Sequence, residues 1–463
     1  MPHPQWRTSP STVVGSASSV AGPVSPGGHI NHTDVTVAAK DFPYMKLQTA
    51  TFNHMAGLGE DYGNLMIRLE QAEPLAPPPS TPVVVLKHAD VISALQSFSA
   101  RIHPWYPILE DRFSDCVASV VSSFAPGTDA FLVLTVLASG AIAHETSHSR
   151  ALHERPDAPY LNRAMEMFHM VVLEQTLRSV QCLVATSIHY YLLLRPTLAH
   201  DLVVLAIKKA QNLHLSGALR HDQPAREHWI RVYRIALLIE AELVVPLRLV
   251  DTNAWETEEE IPLPTGTDIW AFDGDEAGTP VHATTTTPDS SSSASAAARR
   301  SQTDDVITYL LAEIAMRRML RRNTTAFTVA EHSGEYRYAP LVAKELEAQM
   351  EKWCSYLPEK LRFPRECIDT RSSSRSYKLQ DGACLQTSFL RTQYWAGMVS
   401  FYWPSVVQVM ESQQLDDTGV SGCGNYFHSY REFIRSATGS LDVCLPNKWT
   451  IYARCVSPLT MLP

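Results

Sequence analysis

Apolar positions recur at helical spacing over most of this chain. Val84, Val85, Leu86, Val91, Ile92, Leu95 and Phe98 follow that period, and after a short break Ile108, Leu109, Phe113, Cys116, Val117, Val120, Val121 and Phe124 take it up again. The break, residues 97–109, holds Pro104 and Pro107 with Trp105 and Tyr106 between them. Each proline lacks an N–H and pushes its predecessor towards extended geometry, so the segment reads as a stiff corner between two amphipathic helices. Rings of that size dominate local burial, and Trp105 and Tyr106 are expected to wedge between the two helices.

Downstream, Phe131, Leu132, Leu134, Val136, Leu137 and Ile142 follow Asp129 in a stretch that is apolar nearly all round, which predicts a buried central helix. The apolar run 130–143 is too short to cross a bilayer. Further helices are predicted over 160–175, 179–194, 199–216 and 225–245, punctuated by Pro196 and Gly217. Over 251–300 the pattern changes. Glu256, Glu258, Glu259 and Glu260 lead into Pro262-Leu263-Pro264 and then a Thr/Ser/Ala tract at 283–298, which together read as an exposed insertion without fixed structure. Helix is expected to resume at Thr303, with Asp304 and Asp305 near its positive end and Arg317, Arg318, Arg321 and Arg322 towards its negative end. The last predicted helices cover 339–356, 383–411 with a kink at Pro404, 427–443, and a stretch from Trp449 onward.

The fold class that follows is all-α, one large multi-helix body. Its expected organisation is a disordered segment over 1–60, a first helical half over 61–262, a low-complexity insertion over 263–300 and a second half over 301–463. A short helix over 62–71 precedes the proline-rich 74–82. The bundle looks unfinished at Leu459-Thr460-Met461-Leu462-Pro463, so further helices are expected beyond it.

Composition narrows the function classes. The 463 residues are 45% apolar, enough for a sizeable core, and carry a formal charge of −9. That sign argues against nucleic-acid or anionic-lipid binding by bulk charge. Eight cysteines, at 116, 182, 354, 367, 384, 423, 444 and 455, include no CxxC pair, which fits reduced thiols in a cytosolic or nuclear protein better than a metal knuckle or disulfide framework. The N-terminus lacks the charged-then-apolar order of a secretory signal.

Few strings carry candidate chemistry. His144-Glu145-Thr146-Ser147-His148 fits H-E-x-x-H, which on one helix would present two zinc ligands with Glu145 as general base. Its context favours a solvated helix end: Ala151 and Glu154 stand where a metzincin has Gly and His, and His153 lies too close for the usual third ligand. The arginines at 317–322 could meet phosphate, yet read better as a dipole-complementing face with the Arg317 stem packed. The glutamates at 256–260 read as a solvated loop. The rings of Phe389, Tyr394, Trp395, Phe401, Tyr402 and Trp403 could line a ligand pocket, but their helical spacing is that of a core. Gly422-Cys423-Gly424 reads as a flexible turn. GxGxxG, GxxxxGK[ST] and GxSxG are all missing, so catalytic, metal, cofactor-binding and DNA-binding residues are expected to be none, and the chain is expected not to be an enzyme.

Taken in order, the pieces resemble a known family. The His-Pro-Trp-Tyr-Pro-Ile-Leu core of 98–109 resembles the first signature of the regulatory middle-homology domain of fungal zinc-cluster transcription factors. Residues 131–143, Ala210-Gln211-Asn212-Leu213-His214-Leu215, Trp229 with Arg231 and Tyr233, and Ile261-Pro262-Leu263-Pro264 are similar to its later segments. So are 309–318, 357–363 and 390–406. The resemblance spans about 85–460. Two features depart from it: the first cysteine is Cys116, inside a predicted core helix, so the six-cysteine DNA-reading module is expected to be absent, and the usual Gly-Arg-Pro is missing around 244–249. The resemblance implies a nuclear regulator of a metabolic pathway or gene cluster, gated by a small-molecule effector or by protein partners. It would have no direct DNA contact of its own and no membrane association. A non-transcriptional metabolite-binding or scaffolding protein stays open as an alternative, and a zinc hydrolase using His144, Glu145 and His148 as a remote one.

Overall fold

The computed structural model describes residues 54, 65–72, 86–247, 249–272, 291–322, 326–329, 336–364, 385–412 and 416–459. The expectations for 1–60 (residue 54 apart), 74–82 and 283–290 lie outside them. The helices are α1 (Leu65–Ala72), α2 (His88–Arg101), α3 (Phe113–Ser122), α4 (Thr128–His144), α5 (His148–Glu154), α6 (Ala158–Met165), α7 (Phe168–Leu173), α8 (Leu177–Leu192), α9 (Pro196–Leu215), α10 (Gln223–Leu247), α11 (Ser291–Arg322), α12 (Pro340–Tyr356), α13 (Leu385–Ser412), α14 (Asp417–Val443) and α15 (Lys448–Leu459). The fold is all-α. A two-stranded antiparallel ribbon, β1 (Phe327–Val329) with β2 (Tyr336–Tyr338), is paired Phe327 to Tyr338 and rides on α13. It is too short to have shown as alternation in the sequence.

The first half is built around α4, whose residues from Ala130 to Gly140 are all buried, with α2, α3, α6 and α8 packed around it. Gly140 lets α2 approach: a Cβ there would lie 2.1 Å from the Ala94 carbonyl oxygen. Helix starts follow local chemistry. Pro196 opens α9, the Thr176 hydroxyl accepts from the Ser179 amide at the start of α8, and Asp222 accepts from the Ala225 amide beneath α10. Glu70 of α1 accepts from the free Thr197 and Leu198 amides and so caps α9 from outside.

Several boundaries differ from the sequence reading. The helix expected over 160–175 breaks into α6 and α7, where buried Met167 turns its sulfur to the Gly127 amide. Helix α11 begins at Ser291, not Thr303, because the alanines of the low-complexity tract are strong helix formers. Helix α14 begins at Asp417, where the Asp416 carboxylate accepts from the Gly419 amide, so Gly422-Cys423-Gly424 lies inside a helix and is not a turn. Gly422 serves close packing: a Cβ there would meet Ser405 at 2.6 Å and Tyr338 at 2.8 Å.

Trp105 and Tyr106 are buried, but not between α2 and α3. Trp270 holds that place, edge-on to His103 and Phe113 at 5.4 Å each and 6.5 Å from Phe98. Trp105 instead meets Tyr309 of α11 at 5.3 Å and Phe389 of α13 at 5.6 Å, both edge-on, and so joins the corner to the second half. The sequence placed 251–300 outside the core, yet Trp255, Ile261, Ile269 and Trp270 are buried.

Gly140→Ala should cost about 3 kcal/mol, because the added methyl meets backbone that cannot turn away. Gly439→Ala, in α14 with nothing within 4 Å of the new Cβ, should gain about 1 kcal/mol. Urea midpoints of the two variants check both signs.

Candidate functional site

The corner leaves carbonyls that no helix can use. Past Pro107 the chain runs extended, and the oxygens of Pro107, Ile108 and Leu109 need donors from elsewhere. Arg231 of α10 supplies most of them. Its guanidinium, with no exposed surface, donates to the carbonyls of Pro107 (2.8 Å), Leu109 (3.2 Å), Thr267 (2.9 Å) and Asp268 (2.7 Å). His228 donates to the Ile108 carbonyl at 2.9 Å, Gln181 of α8 donates to it at 2.8 Å, and the Trp270 amide adds a bond to Leu109. One side chain therefore ties the corner, α10 and the segment around Trp270 together.

Electrostatics at the clamp follow burial. Desolvation brings the Arg231 guanidinium down to about 10, opposed by Asp268, Glu227 and Glu110, and it stays charged. Burial, aided by the Arg231 charge, lowers His228 to about 4 and His103 to about 3, so both are neutral near pH 7. Burial alone would raise the Glu110 carboxyl, but His228, Arg178 and the Gln181 amide hold it below its ordinary range.

A second polar cluster lies between the halves. Arg317 of α11 pairs with Glu242 of α10 and, at 3.3 Å, with Glu313, while the Gln393 amide of α13 donates to Glu313 at 2.9 Å and Glu242 at 3.3 Å. At the next residue of α11, Arg318 shares Glu258 with Arg234 of α10. Three arginines and three glutamates thus balance within the seam; five are almost fully buried, and Arg318 keeps 27% of its side chain in water. Beside it the Tyr106 hydroxyl donates to Asn447 at 2.9 Å and Tyr191 bonds Thr450, which locks α15 onto the first half. Removing one member of such a cluster strands a buried charge, whereas exchanging whole pairs for apolar residues need not destabilise.

The strings singled out in the sequence fall as follows. His144 closes α4, Glu145 is extended and His148 opens α5, so the H-E-x-x-H string does not share one helical face. Arg101 donates to the carbonyls of Ala143 and Glu145, which ends α4 there; His144 bonds Ser93 and Ser97, and His148 bonds the Leu192 carbonyl at 2.7 Å. Of the four clustered arginines, Arg317 and Arg318 are the described side chains, and they serve the seam and not a surface face. Glu258, expected in a solvated loop, is buried in the 3-10 turn Ala254–Glu260 because Arg234 and Arg318 neutralise it. Phe389, Tyr394, Trp395, Phe401, Tyr402 and Trp403 are all core.

One arrangement escaped the sequence reading. Ser139 meets His189 Nδ1 at 3.1 Å, and His189 Nε2 meets Asp157 at 3.1 Å, which has the connectivity of a hydrolase triad. All three are buried, and the Ser139 hydroxyl donates into its own helix at Thr135. Burial would raise the Asp157 carboxyl, but bonds from His189 and Arg155 hold it well below the usual carboxylate range. This array pins α4, α6 and α8 together and offers a substrate no approach. The clamp and the seam were also unread, although Arg231, Arg234, Glu240 and Glu242 in an otherwise apolar helix were a visible signal.

Arg231→Ala should destabilise the chain by about 3–5 kcal/mol, and Arg231→Lys should recover less than half of that, since an ammonium cannot span four carbonyls. Because His103 and His228 are depressed in the folded state, the unfolded chain binds more protons below about pH 6.5. Stability should therefore be complete above that pH and fall as pH drops towards 4. His103→Leu should flatten this loss in denaturant titrations run at successive pH values, and an unchanged slope would remove His103 from the account.

No family model matches the chain, and no solved structure matches it. Among curated proteins it is similar to "Putative transcription factor ecdB" of Aspergillus rugulosus, 35% identical over 422 residues, which cover 89% of this chain and 70% of that protein. Similarity of this extent, over most of both chains, makes this chain a member of the fungal transcription factor family to which ecdB belongs.

Proposed function

We propose that this transcription regulator is of the zinc-cluster type and that residues from about 85 to 460 are its middle-homology regulatory domain. In this reading the domain acts in the nucleus and controls a metabolic pathway or gene cluster. It responds to an effector or a protein partner, and residues 1–463 by themselves hold no promoter DNA, since no cysteine precedes Cys116 among them.

The observation that supports gating is the seam of Glu242, Arg317, Glu313 and Gln393. A buried charge cluster is stable only when every member is in place, so small relative shifts of α10 and α11 are penalised and the halves favour discrete packings. An effector that binds one packing more tightly moves the population by its differential affinity and by no more than that. The described residues include no helix long and apolar enough to cross a membrane.

Tethered to an unrelated DNA-binding domain in fungal cells, the chain should change reporter output, and Glu242→Gln should alter that output about fivefold or more at equal protein level. The tagged chain should accumulate in nuclei, and the purified chain should retain no promoter fragment by itself. A cytoplasmic chain without reporter output would overturn the proposal; promoter retention by the purified chain would overturn the expectation that residues 1–463 hold no DNA by themselves.

A further inference from the structure

The turn between α9 and α10 carries a cleft of about 280 Å³, lined by His214, Gly217, Leu219, Arg220, Arg226 and Trp229. Its rings are fixed in place. His214 stacks on Trp229 at 4.8 Å with planes 10° apart, Trp229 stacks on Tyr233 at 5.2 Å, and the Trp229 indole N–H is held by the Ala210 carbonyl. His214 is exposed at the outer end of this three-ring pile, while Trp229 is buried beneath it.

The lining holds two guanidinia and no carboxylate. Among the described residues neither Arg220 nor Arg226 has a side-chain partner. The carboxylates nearest in sequence are already engaged: Asp222 accepts from the Ala225 amide, and Glu227 accepts from the Thr265 amide. Gly217, at φ +72°, makes room for one of the cations. A Cβ there would come within 2.9 Å of Arg220 Nε, so a larger residue would push the guanidinium aside from its place over the turn. Two free guanidinia beside an open ring stack, in a chain of net charge −9, form a local exception to the acidic whole.

We propose that this cleft binds a small planar molecule bearing an oxyanion, a carboxylate or a phosphate. Arg220 and Arg226 hold the anion, and the ring of the ligand lies against His214. Guanidinium forks match both oxyanions with two parallel hydrogen bonds and also stack on flat rings, and the volume limits the ligand to metabolite size. The site's role as the effector site rests on the sensor reading given above; binding itself does not, because it is measured on the purified chain. Helix α10, which opens at this cleft, also carries Arg231 of the clamp and Glu242 of the seam, so one rigid rod joins an occupied cleft to both.

Titration calorimetry of the purified full chain with benzoate, phenyl phosphate, inorganic phosphate and benzyl alcohol tests this. At least one of the two ring-bearing anions should bind saturably with Kd near or below 1 mM, and the tighter of the two identifies the oxyanion. Inorganic phosphate and benzyl alcohol should bind at least about tenfold more weakly. The double variant Arg220→Ala/Arg226→Ala should lose binding about tenfold or more while keeping the unliganded melting temperature, since both side chains are exposed. Saturable binding that survives in the double variant, inorganic phosphate binding as tightly as the ring-bearing anions, or no binding of any probe at 10 mM (about tenfold above the expected Kd) would each overturn it. Ligand binding without any change in reporter output would leave the site standing and remove the sensor reading.

Discussion

A guanidinium buried without a carboxylate in contact must be solvated by carbonyl dipoles, and around Arg231 that demand organises the first half. The proline-bounded corner has oxygens without helical partners, and the charge has no water. Each resolves the other's deficit. The segment carrying Thr267 and Asp268 is drawn in to complete the shell, and with it comes Trp270, which fills the gap between α2 and α3. Because that gap is taken, Trp105 is left for the second half, where it meets α11 and α13.

The seam follows the same logic with paired charges. Helix α10 supplies Arg231 to the corner, Glu242 to Arg317 of α11 and Arg234 to Glu258, which Arg318 of α11 shares, so one element sets both interfaces. Its polar residues cannot be exchanged singly without stranding a partner, which makes its position relative to α11 and α13 far better defined than greasy packing alone would make it. Packing by Ile, Leu and Val tolerates sliding; six interlocked charges do not.

Helices were legible in the sequence because period 3.6 is a local property, and α4, α8, α9 and α10 stand within a few residues of their expected places. A fungal transcription factor too was legible, and two of the segments that carried the resemblance lie in contact: Trp229 of one donates to Ala210 of the other, and His214 stacks upon it. What stayed hidden depends on distant partners. Glu258 reads as solvated until Arg234 and Arg318 arrive from either side, and Trp270 looks stranded in a loop until Arg231 draws its neighbours inward. The Ala-rich start of α11 was misread through its composition, and the glycines of α14 because Gly usually signals a turn, whereas here Gly422 grants Ser405 and Tyr338 close contact.

The bond from Tyr106 to Asn447 spans 341 residues, and that from Tyr191 to Thr450 spans 259. During synthesis at 5–20 residues per second, roughly 20–70 s separate the emergence of Tyr106 from that of its acceptor. Trp105 waits a shorter time, because Tyr309 and Phe389 emerge first, but the Tyr106 hydroxyl has no protein acceptor until Asn447 follows. The last hydrogen bonds of the first half therefore close only after most of the second half has been made, which places them among the slow, non-local steps of folding.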